Sequence, residues 1–331
     1  MRHAGLLALC CVLLAVVSCS GPVMVAVGES NDLVIVVDDV ESPAARLLTE
    51  IMEHESIWLG GEPAFVATVT TPRRLGELRN RRHLMLAGSW GGGEVRDLVR
   101  KYVRGLREGD DPRLQLDEDI WAKGQAVAAV MADDPGDLVA YLEAHREEIL
   151  RRFEDAATDR LSRTLSDRAA QAGATAMLKE RYGWSICLPS GYDFYSARED
   201  AGFVFFRRLR PDRSVFVFWM AAEPGTVVSP DWVTDARDRL TAESYDGDVI
   251  EWKRPVLIDT VDFRERTAVR ISGWWANREL FGGGPFRTYA FVEPTQERLY
   301  LIDISLFGPG TDKAARMRSL DAIARSFATS P

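Results

Sequence analysis

The sequence predicts a mixed α+β fold, with an N-terminal alternating strand-helix domain, a long linking helix and a C-terminal antiparallel sheet with two helices. Up to about residue 180, aliphatic runs alternate with amphipathic segments of helical period. Beyond that point the chain is strand-rich and aromatic, and it holds six of the nine tryptophans. Alternation followed by a run of strands is typical of α+β architecture. We therefore expect domains over residues 31–180 and 181–331.

Each predicted strand of the N-terminal domain is a short aliphatic run, and most are followed by a helix start. Ser42-Pro43 and Asp134-Pro135 each combine a capping side chain with a proline, which favours the first position of a helix. Thr71-Pro72 starts a short helix in the same way. The strands are expected at 33–37, 65–69, 83–87 and 126–131, and helices from residue 43, over 94–106, and from 135 to about 179, where one long helix joins the domains.

The C-terminal domain is predicted as a sheet because apolar and aromatic runs recur between turn signals. Ser229-Pro230 caps one helix, which runs to about residue 240, and a second helix is expected over 311–327. The glycine-rich segment 282–286 is interpreted as a tight loop. The strands are expected at 184–188, 203–206, 215–220, 256–258, 267–275, 288–292 and 299–304.

Residues 1–18 have the pattern of a bacterial lipoprotein signal peptide. A basic start is followed by an apolar run over 6–17, and Ser18 then precedes Cys19. The run is shorter than the about 20 residues that a permanent membrane span needs. Cleavage would leave a lipid-carrying Cys19 on a short tether over 19–30. The alternative is an ordinary secretory signal or an uncleaved anchor. Ser20 resembles the sorting signal of outer-membrane lipoproteins, so we expect a lipid-anchored envelope protein facing the periplasm or the surface.

Charge and cysteine content exclude several classes of protein. Loss of the signal removes only Arg2, which brings the net charge from −9 to about −10. An acidic surface is a poor match for nucleic acid or for anionic headgroups. Cys10 and Cys11 leave with the signal and Cys19 is lipidated, so Cys187 is alone and no intrachain disulfide is expected. Its neighbours in sequence are not ionisable, which favours a buried structural thiol over a nucleophile.

Three further features of the sequence have residue types that can bind a ligand. The loop Gly88–Gly93 lies between a strand and a helix, but it lacks the lysine and hydroxyl of a phosphate loop, which favours a plain turn. The pairs Asp38-Asp39 and Asp133-Asp134 could bind a hard cation, although helix capping explains them better. The histidines share no metal-ligand spacing. We expect no metal, no cofactor and no catalytic triad.

Trp274 is the predicted binding residue of the C-terminal domain. Successive strand residues face opposite sides of a sheet, so Val269, Ile271 and Trp275 are expected to face the core. Arg270, Ser272 and Trp274 then share the other face, where a tryptophan beside an arginine can stack on a sugar or a partner side chain. Phe286, in the adjacent glycine-rich loop, is included in this site. The alternative is that Trp274 packs under that loop.

Five short motifs are spread over most of the mature chain. They are Trp121-Ala122-Lys123-Gly124-Gln125, Leu188-Pro189-Ser190-Gly191-Tyr192, Ile271-Ser272-Gly273-Trp274, Gly283-Gly284-Pro285-Phe286 and the segment from Leu320 to Phe327. In combination they resemble a known family of bacterial lipoproteins, the domain of unknown function 4837, which has no assigned activity or catalytic residues. The order of elements in the second half is also similar to PsbP/Mog1-type modules, which implies a binding or assembly role.

These observations favour a non-enzymatic, lipid-anchored envelope protein that binds a protein or glycan partner through its aromatic C-terminal domain. An envelope hydrolase is the alternative, because glycoside hydrolysis needs only two suitably placed carboxylates that sequence spacing does not reveal. A scaffold or stress-related envelope component is the third class, and a large exposed apolar patch without a cleft would favour it.

Overall fold

The computed structural model describes residues 24–110, 113–168, 172–245, 247–277 and 279–330. The predicted lipoprotein signal and the predicted lipidation site Cys19 lie outside the described residues. Helices and strands contribute in similar amounts, which confirms the mixed α+β class. Within the described residues, no helix has both the length and the apolar character needed to cross a membrane.

The N-terminal half, residues 24–168, is built on a five-stranded sheet in the order β4-β1-β5-β7-β6. Four strands are parallel, and β6 pairs with β7 in the antiparallel sense at the edge. The elements are β1 (Asp32–Val36), α1 (Pro43–Met52), β2 (Glu55–Ser56), β3 (Glu62–Pro63), β4 (Val66–Thr70), β5 (His83–Ser89), α2 (Glu94–Tyr102), β6 (Leu114–Glu118), β7 (Ala126–Ala132), α3 (Pro135–Ala144) and α4 (Arg146–Arg168).

Helices cover both faces of this sheet, as expected where parallel strands are continuous apolar runs. Helices α1, α3 and α4 bury residues such as Leu48 and Phe153 on one face, and α2 buries Val95 and Val99 on the other. The predicted caps are present, because Ser42 accepts a hydrogen bond from Ala45 N and Asp134 accepts one from Asp137 N. Between α1 and β4, the short β2–β3 hairpin extends towards the C-terminal half.

The C-terminal half, residues 172–330, is built on an antiparallel sheet of eight strands. The path runs β12-β14-β15-β16-β11-β10-β9, and β13 also pairs with β14. The elements are α5 (Ala172–Tyr182), β8 (Trp184–Ser185), β9 (Asp193–Arg198), β10 (Phe203–Arg208), β11 (Asp212–Ala221), α6 (Pro230–Ser244), β12 (Val249–Ile250), β13 (Leu257–Asp262), β14 (Thr267–Asn277), β15 (Gly282–Glu293), β16 (Arg298–Phe307), α7 (Lys313–Ala324) and β17 (Ala328–Thr329).

The two faces of the C-terminal sheet bury different cores. Helices α5 and α7 pack on one face, around Trp184, Tyr289 and Phe291. Helix α6 packs on the other face, around Val269, Ile271 and Trp275. The prediction that these last three residues share a buried face is therefore confirmed, and Arg270, Ser272 and Trp274 point to the side of α7 and the N-terminal half.

Two sequence predictions about elements were wrong. The single helix expected from residue 135 to about 179 is interrupted, because His145 leaves the helical conformation at φ −122° and ψ 24° and ends α3. Residues 282–286 are the start of β15 and not a loop. Gly284 permits this strand to pair closely, since a Cβ there would lie 1.9 Å from the carbonyl oxygen of Leu306.

Helix α7 joins the two halves through polar contacts. Asn31 donates to the carboxylate of Asp312 at 2.7 Å, and Ser30 donates to the carbonyl of Ala315 at 2.7 Å. The buried Arg318 donates to the carbonyls of Ser30 and Ala64 and stacks on a phenylalanine of the N-terminal half. The start of the described chain is thereby fixed against the C-terminal half.

Candidate functional site

A cleft of about 270 Å³ lies between the two halves. The N-terminal half contributes the β2–β3 hairpin and the inner face of α4, and the C-terminal half contributes β13, β14, β15 and α7. Clefts between structural units are common binding sites. The polar and aromatic lining includes Glu55, Trp58, Arg151, Glu154, Asp155, Asp259, Arg270, Ser272, Arg287, Arg318, Asp321 and Arg325.

The floor of the cleft is formed by the register of β14 and β15. Ser272 lies directly opposite Arg287, so their side chains share one face. Arg287 Nε donates to Ser272 Oγ at 2.9 Å, and Arg270 donates to Asp259 of β13 through two nitrogens at 3.1 and 2.6 Å. These bonds hold both guanidinium groups in fixed orientations at the cleft.

Asp321 of α7 is the buried acid beneath this floor. It accepts hydrogen bonds from Arg287 at 2.7 Å and from the hydroxyl of Tyr289 at 2.6 Å. Burial acts to raise the pKa of Asp321, but the charges of Arg287 and Arg325 outweigh it, so the pKa lies below its usual value. Asp321 is therefore a carboxylate at neutral pH and positions the arginines around it.

Each arginine of the cleft has an acidic partner. Arg318 lies 3.5 Å from Glu154, and Arg325 lies 2.7 Å from Asp155 and 3.0 Å from Asp159. Arg151 lies 3.9 Å from Asp155. Because these charges balance, the cleft is strongly polar without an excess of either sign. Such a surface suits a neutral polar ligand better than a free anion.

Trp58 supplies the aromatic surface of the cleft. Its ring lies 4.3 Å from the guanidinium of Arg287, within the range of a cation–π contact. Trp58 is half-buried, and it comes from the short helical turn between β2 and β3. Sequence reasoning missed it, because this turn has no periodic pattern and its role depends on contact with a distant strand.

The four predicted binding residues do not form one site. Arg270 and Ser272 line the cleft, whereas Trp274 is half-buried beside it, with the guanidinium of Arg254 at 4.0 Å from its ring. Gly60 of the β2–β3 turn packs on the Trp274 ring, so this side chain contacts the N-terminal half of its own chain. The contact differs from the predicted alternative of packing under residues 282–286.

Phe286 is a correction to the predicted site. It lies opposite Gly273 in the sheet and therefore faces away from Arg270 and Trp274. Its ring is fully buried in the core under α6, where Arg237 stacks on it at 3.7 Å. A partner at the surface has no access to this side chain. The alternation of β14 was predicted correctly, but the face of Phe286 depends on the cross-strand register.

The aspartates interpreted as caps do bond to main-chain nitrogens. Asp38 Oδ1 accepts from Val95 N at 3.0 Å and so occupies the N-terminus of α2, and Asp39 accepts from Glu41 N at 2.9 Å. The N-terminus of α2, which follows the loop Gly88–Gly93, is therefore occupied by a carboxylate of the chain itself. Among the described residues, no group of three or more histidine, cysteine, aspartate or glutamate side chains could hold a metal ion.

Cys187 is half-buried, whereas the sequence predicts a buried structural thiol. Its sulfur lies 3.5 Å from Ser166 Oγ of α4, and its main-chain nitrogen donates to Ser326 Oγ at 2.8 Å. Within the described chain it is a free cysteine.

Comparison with solved structures finds matches that include the Mog1 type suggested by the order of elements. A point mutant of the Mog1 protein and the Saccharomyces cerevisiae Ran-binding protein MOG1P are each 10% identical to this chain, with TM-scores of 0.29, and 44% of this chain aligns with 90% of theirs. LpqN, described as involved in cell envelope biogenesis of Mycobacterium tuberculosis, is 10% identical with a TM-score of 0.30, and 45% of this chain aligns with 83% of it. Similarity of this extent carries no argument about activity.

Family profiles match both halves of the chain, while no curated protein matches it at a significant level. A domain of unknown function, DUF8532, matches residues 26–166, which include the motif at 121–125. The resemblance to DUF4837 suggested by the motifs extended over nearly the whole mature chain, but the match begins only at residue 171. The family model of the domain of unknown function DUF4837, which the motifs of the second half resemble, matches residues 171–326.

Proposed function

We propose that this chain is a lipid-anchored, non-enzymatic binding module of a bacterial cell envelope, which holds a glycan or a polar segment of an envelope protein in the cleft between its halves. The geometry of Trp58 and Arg287 is the observation that carries this proposal. The support for location in the envelope comes from the predicted lipoprotein signal peptide, residues 1–18, which directly precedes Cys19.

The cleft combines a stacking surface with directed hydrogen-bond donors. Trp58 offers a ring against which a sugar or a planar side chain can pack. Arg287 uses Nε and Nη1 for Ser272 and Asp321, and among the described residues its Nη2 has no hydrogen-bond partner. Arg270 likewise bonds through Nε and Nη2 to Asp259 and keeps Nη1 for a ligand. A few fixed donors beside one aromatic ring are typical of sites for neutral polar ligands.

The hydrolase alternative is supported by the presence of several carboxylates in the same cleft. A glycosidase needs a protonated carboxylic acid with a raised pKa beside an ionised one. Asp321 has a lowered pKa, and Glu154, Asp155 and Asp259 each lie within ion-pair distance of an arginine. The lowered pKa of Asp321 disfavours it as the proton donor, and the other three acids are paired with arginines, so binding is the better-supported function.

A site-specific photo-crosslinker tests the cleft. Leu257 lines the cleft and is 45% exposed, whereas Val227 is 86% exposed outside it and serves as the control position. We expect a crosslinker at position 257 to capture a protein or glycan in intact cells that position 227 does not capture. Trp58→Ala is expected to reduce this capture by about 10-fold, the effect of losing one aromatic anchor worth about 1.4 kcal/mol.

Two comparison variants separate the possible roles of the tryptophans. Trp274→Ala, which tests the binding site predicted from sequence, is expected to lower stability with a smaller effect on capture than Trp58→Ala. Identical capture at positions 257 and 227, or capture unchanged by Trp58→Ala in a folded protein, would contradict the proposal. Hydrolysis of an envelope glycan by the purified protein would favour the alternative.

The anchor is tested separately by cell fractionation. The wild-type protein is expected in the detergent-soluble membrane fraction, and Cys19→Ala is expected to lose acylation and to leave that fraction. Retention of the Cys19→Ala protein in membranes with its apolar leader intact would indicate an uncleaved anchor.

A further inference from the structure

Three arginines gather at one end of the C-terminal sheet, outside the cleft. Arg208 ends β10 and Arg213 lies directly opposite it on β11, so both side chains are on the same face. That face carries Val215 and Val217 and packs against α7. Arg316 belongs to α7, and its charge acts on Arg213. Arg208 also lies against Gly191, next to Tyr192, since a Cβ on Gly191 would be 3.3 Å from Arg208 Nε.

These arginines have no acidic partner among the described residues. Arg213 is only 7% exposed, and its one hydrogen bond there is a 3.4 Å contact from Nε to the carbonyl of Pro211. The Nε atom of Arg316 is buried without a partner. By contrast, every arginine of the cleft has an acidic partner. Arginines without one are unexpected in a chain that has more acidic residues (50) than basic residues (41).

The nearest acids along the chain are committed elsewhere. Asp212 pairs with Arg207 on the opposite face of the strand, through two bonds of 2.8 and 2.5 Å. Asp312 caps α7 through Ala315 N and accepts a hydrogen bond from Asn31. Like charges directly opposite on neighbouring strands are destabilising, and burying a charge without a counterion is costly. An anion between the guanidinium groups would relieve both effects.

The electrostatics of the cluster agree with this geometry. Burial, together with the charges of Arg208 and Arg316, lowers the pKa of the Arg213 guanidinium. Burial also raises the pKa of Tyr192 to about 12, against the opposing effect of the nearby arginines. The Tyr192 hydroxyl therefore keeps its proton at neutral pH and adds no negative charge beside the arginines.

We propose that Arg208, Arg213 and Arg316 form a binding site for a phosphate group. Guanidinium groups present planar pairs of N–H donors that match the oxygens of a phosphate, and their three positive charges more than offset the charge of a phosphate dianion. The site is independent of the cleft, because none of the three arginines lines it.

A phosphate group can reach this site as a free ion or as a lipid headgroup. Leu209, in the turn that follows Arg208, is 64% exposed. The same end of the sheet carries Phe307, which pairs with Asp212 and lies next to Gly282, and Phe281, which is 94% exposed at the next hairpin. Exposed apolar tips beside arginines are suited to a lipid interface, so the experiment includes vesicles as well as inorganic phosphate.

Binding is measured by calorimetry with inorganic phosphate and by co-sedimentation with phosphatidylcholine vesicles with and without phosphatidylglycerol. Arg316→Gln and Arg208→Gln are expected to weaken binding about 10-fold each, as loss of a charge-assisted hydrogen bond predicts. Arg210→Gln is the matched control, because Arg210 is an exposed cation of the same turn outside the cluster. It is expected to change the affinity by less than about twofold.

The outcomes separate the source of the phosphate from the existence of the site. Binding to inorganic phosphate that Leu209→Ser leaves unchanged indicates a free ion, whereas binding to phosphatidylglycerol vesicles that Leu209→Ser weakens indicates a headgroup. Either result supports the site if the Arg316→Gln and Arg208→Gln variants lose that binding. The absence of saturable binding in both assays, or equal effects of Arg210→Gln and Arg316→Gln, would overturn the proposal.

Discussion

Arg237 donates a 3.0 Å hydrogen bond from Nε to Oδ1 of Asp303, and both side chains are completely buried beneath α6. Thr288 donates to the same carboxylate oxygen. The face of the guanidinium stacks on Phe286, and Asp303 Oδ2 has no hydrogen-bond partner among the described residues. Burial raises the pKa of Asp303 despite the opposing charge of Arg237. Arg237 Nη1 also lies 3.5 Å from Oδ1 of the partly buried Asp238, so Arg237 is the counterion of Asp303 and interacts with a second acid as well.

Removal of one member of this pair is expected to be costly. Arg237→Met leaves the Asp303 carboxylate buried without its cation, and breaking such a pair costs about 3–5 kcal/mol. The free energy of unfolding, measured with urea, should fall by that amount. The double variant Arg237→Met with Asp303→Leu should recover much of the loss, because the fully buried carboxylate of Asp303 is then removed together with its cation. Equal losses in the single and double variants would contradict this account.

The burial of His83 is expected to make the free energy of unfolding depend on pH in a specific way. It is 1% exposed, its Nδ1 lies 2.9 Å from the carbonyl of Asp32, and Nε2 is buried without a partner. Burial, with the nearby charge of Arg318, lowers its pKa from 6.5 to about 3. Between these values the unfolded chain binds one proton more than the folded chain. The contribution of neutral His83 to the free energy of unfolding is therefore complete above pH 6.5 and is lost as the pH falls towards 3.

The size of this effect is about 1.4 kcal/mol per pH unit below 6.5, or about 2 kcal/mol at about pH 5. It is obtained by subtracting the unfolding free energy of His83→Gln from that of the wild type at each pH, which cancels the other titrating groups. His54→Gln, at an exposed position, is the control and should retain the wild-type slope. A slope for His83→Gln equal to that of the wild type would show that His83 is not the responsible group.

Local signals predicted the elements better than the site. Ser42-Pro43, Asp134-Pro135 and Ser229-Pro230 each start a helix, because capping depends on residues within one turn. The alternation along β14 likewise placed Arg270 and Ser272 on the correct face. The prediction of a single long helix was wrong because the charged, amphipathic pattern of the sequence continues through the break at His145.

The site could not be predicted because it is formed by residues from both halves. Trp58, Arg287 and Asp321 lie far apart in sequence and meet only through the register of β14 and β15 and the docking of α7. Phe286 was misplaced for a related reason, since Gly282–Gly284 signal a loop locally and are accepted in a strand through close cross-strand contact.

The contact between Gly60 and Trp274 can be measured by comparison with the neighbouring glycine. Both Gly60 and Gly61 have positive φ, at 79° and 85°, so alanine is strained at either position. A Cβ on Gly60 would lie 2.7 Å from Trp274 Cζ2, whereas the nearest atom to a Cβ on Gly61 is 3.6 Å away. Gly61→Ala should cost about 1 kcal/mol, and Gly60→Ala about 1–3 kcal/mol more.

A double-mutant cycle isolates this contact. Trp274→Phe removes the atom that a Cβ on Gly60 would meet, so the added cost of Gly60→Ala should shrink in that background. The cost of Gly61→Ala should stay the same in both backgrounds. Equal coupling of both glycines to Trp274 would show that strain in the turn, and not the ring contact, determines the difference.

Glu62 is expected to control how firmly α7 is held against the N-terminal half. Its Oε2 accepts hydrogen bonds from the main-chain nitrogens of Lys313 at 2.6 Å and Ala314 at 3.2 Å, and its Oε1 accepts one from Lys313 Nζ at 2.6 Å. One carboxylate thus caps the helix from another part of the chain. Glu62→Ala leaves these first-turn nitrogens without their acceptor, at a cost of about 1–2 kcal/mol.

Hydrogen exchange measures this effect directly. In Glu62→Ala, the amides at the start of α7 should exchange faster than in the wild type, and those in its last turn should change less, because Arg325 still bonds to Asp155 and Asp159 of α4. Glu55→Ala, an exposed carboxylate of the same hairpin, is the control and should leave the exchange of α7 unchanged. Uniform acceleration along α7 would indicate that the helix opens as one unit, so that its attachment is cooperative and does not depend on the Glu62 cap alone.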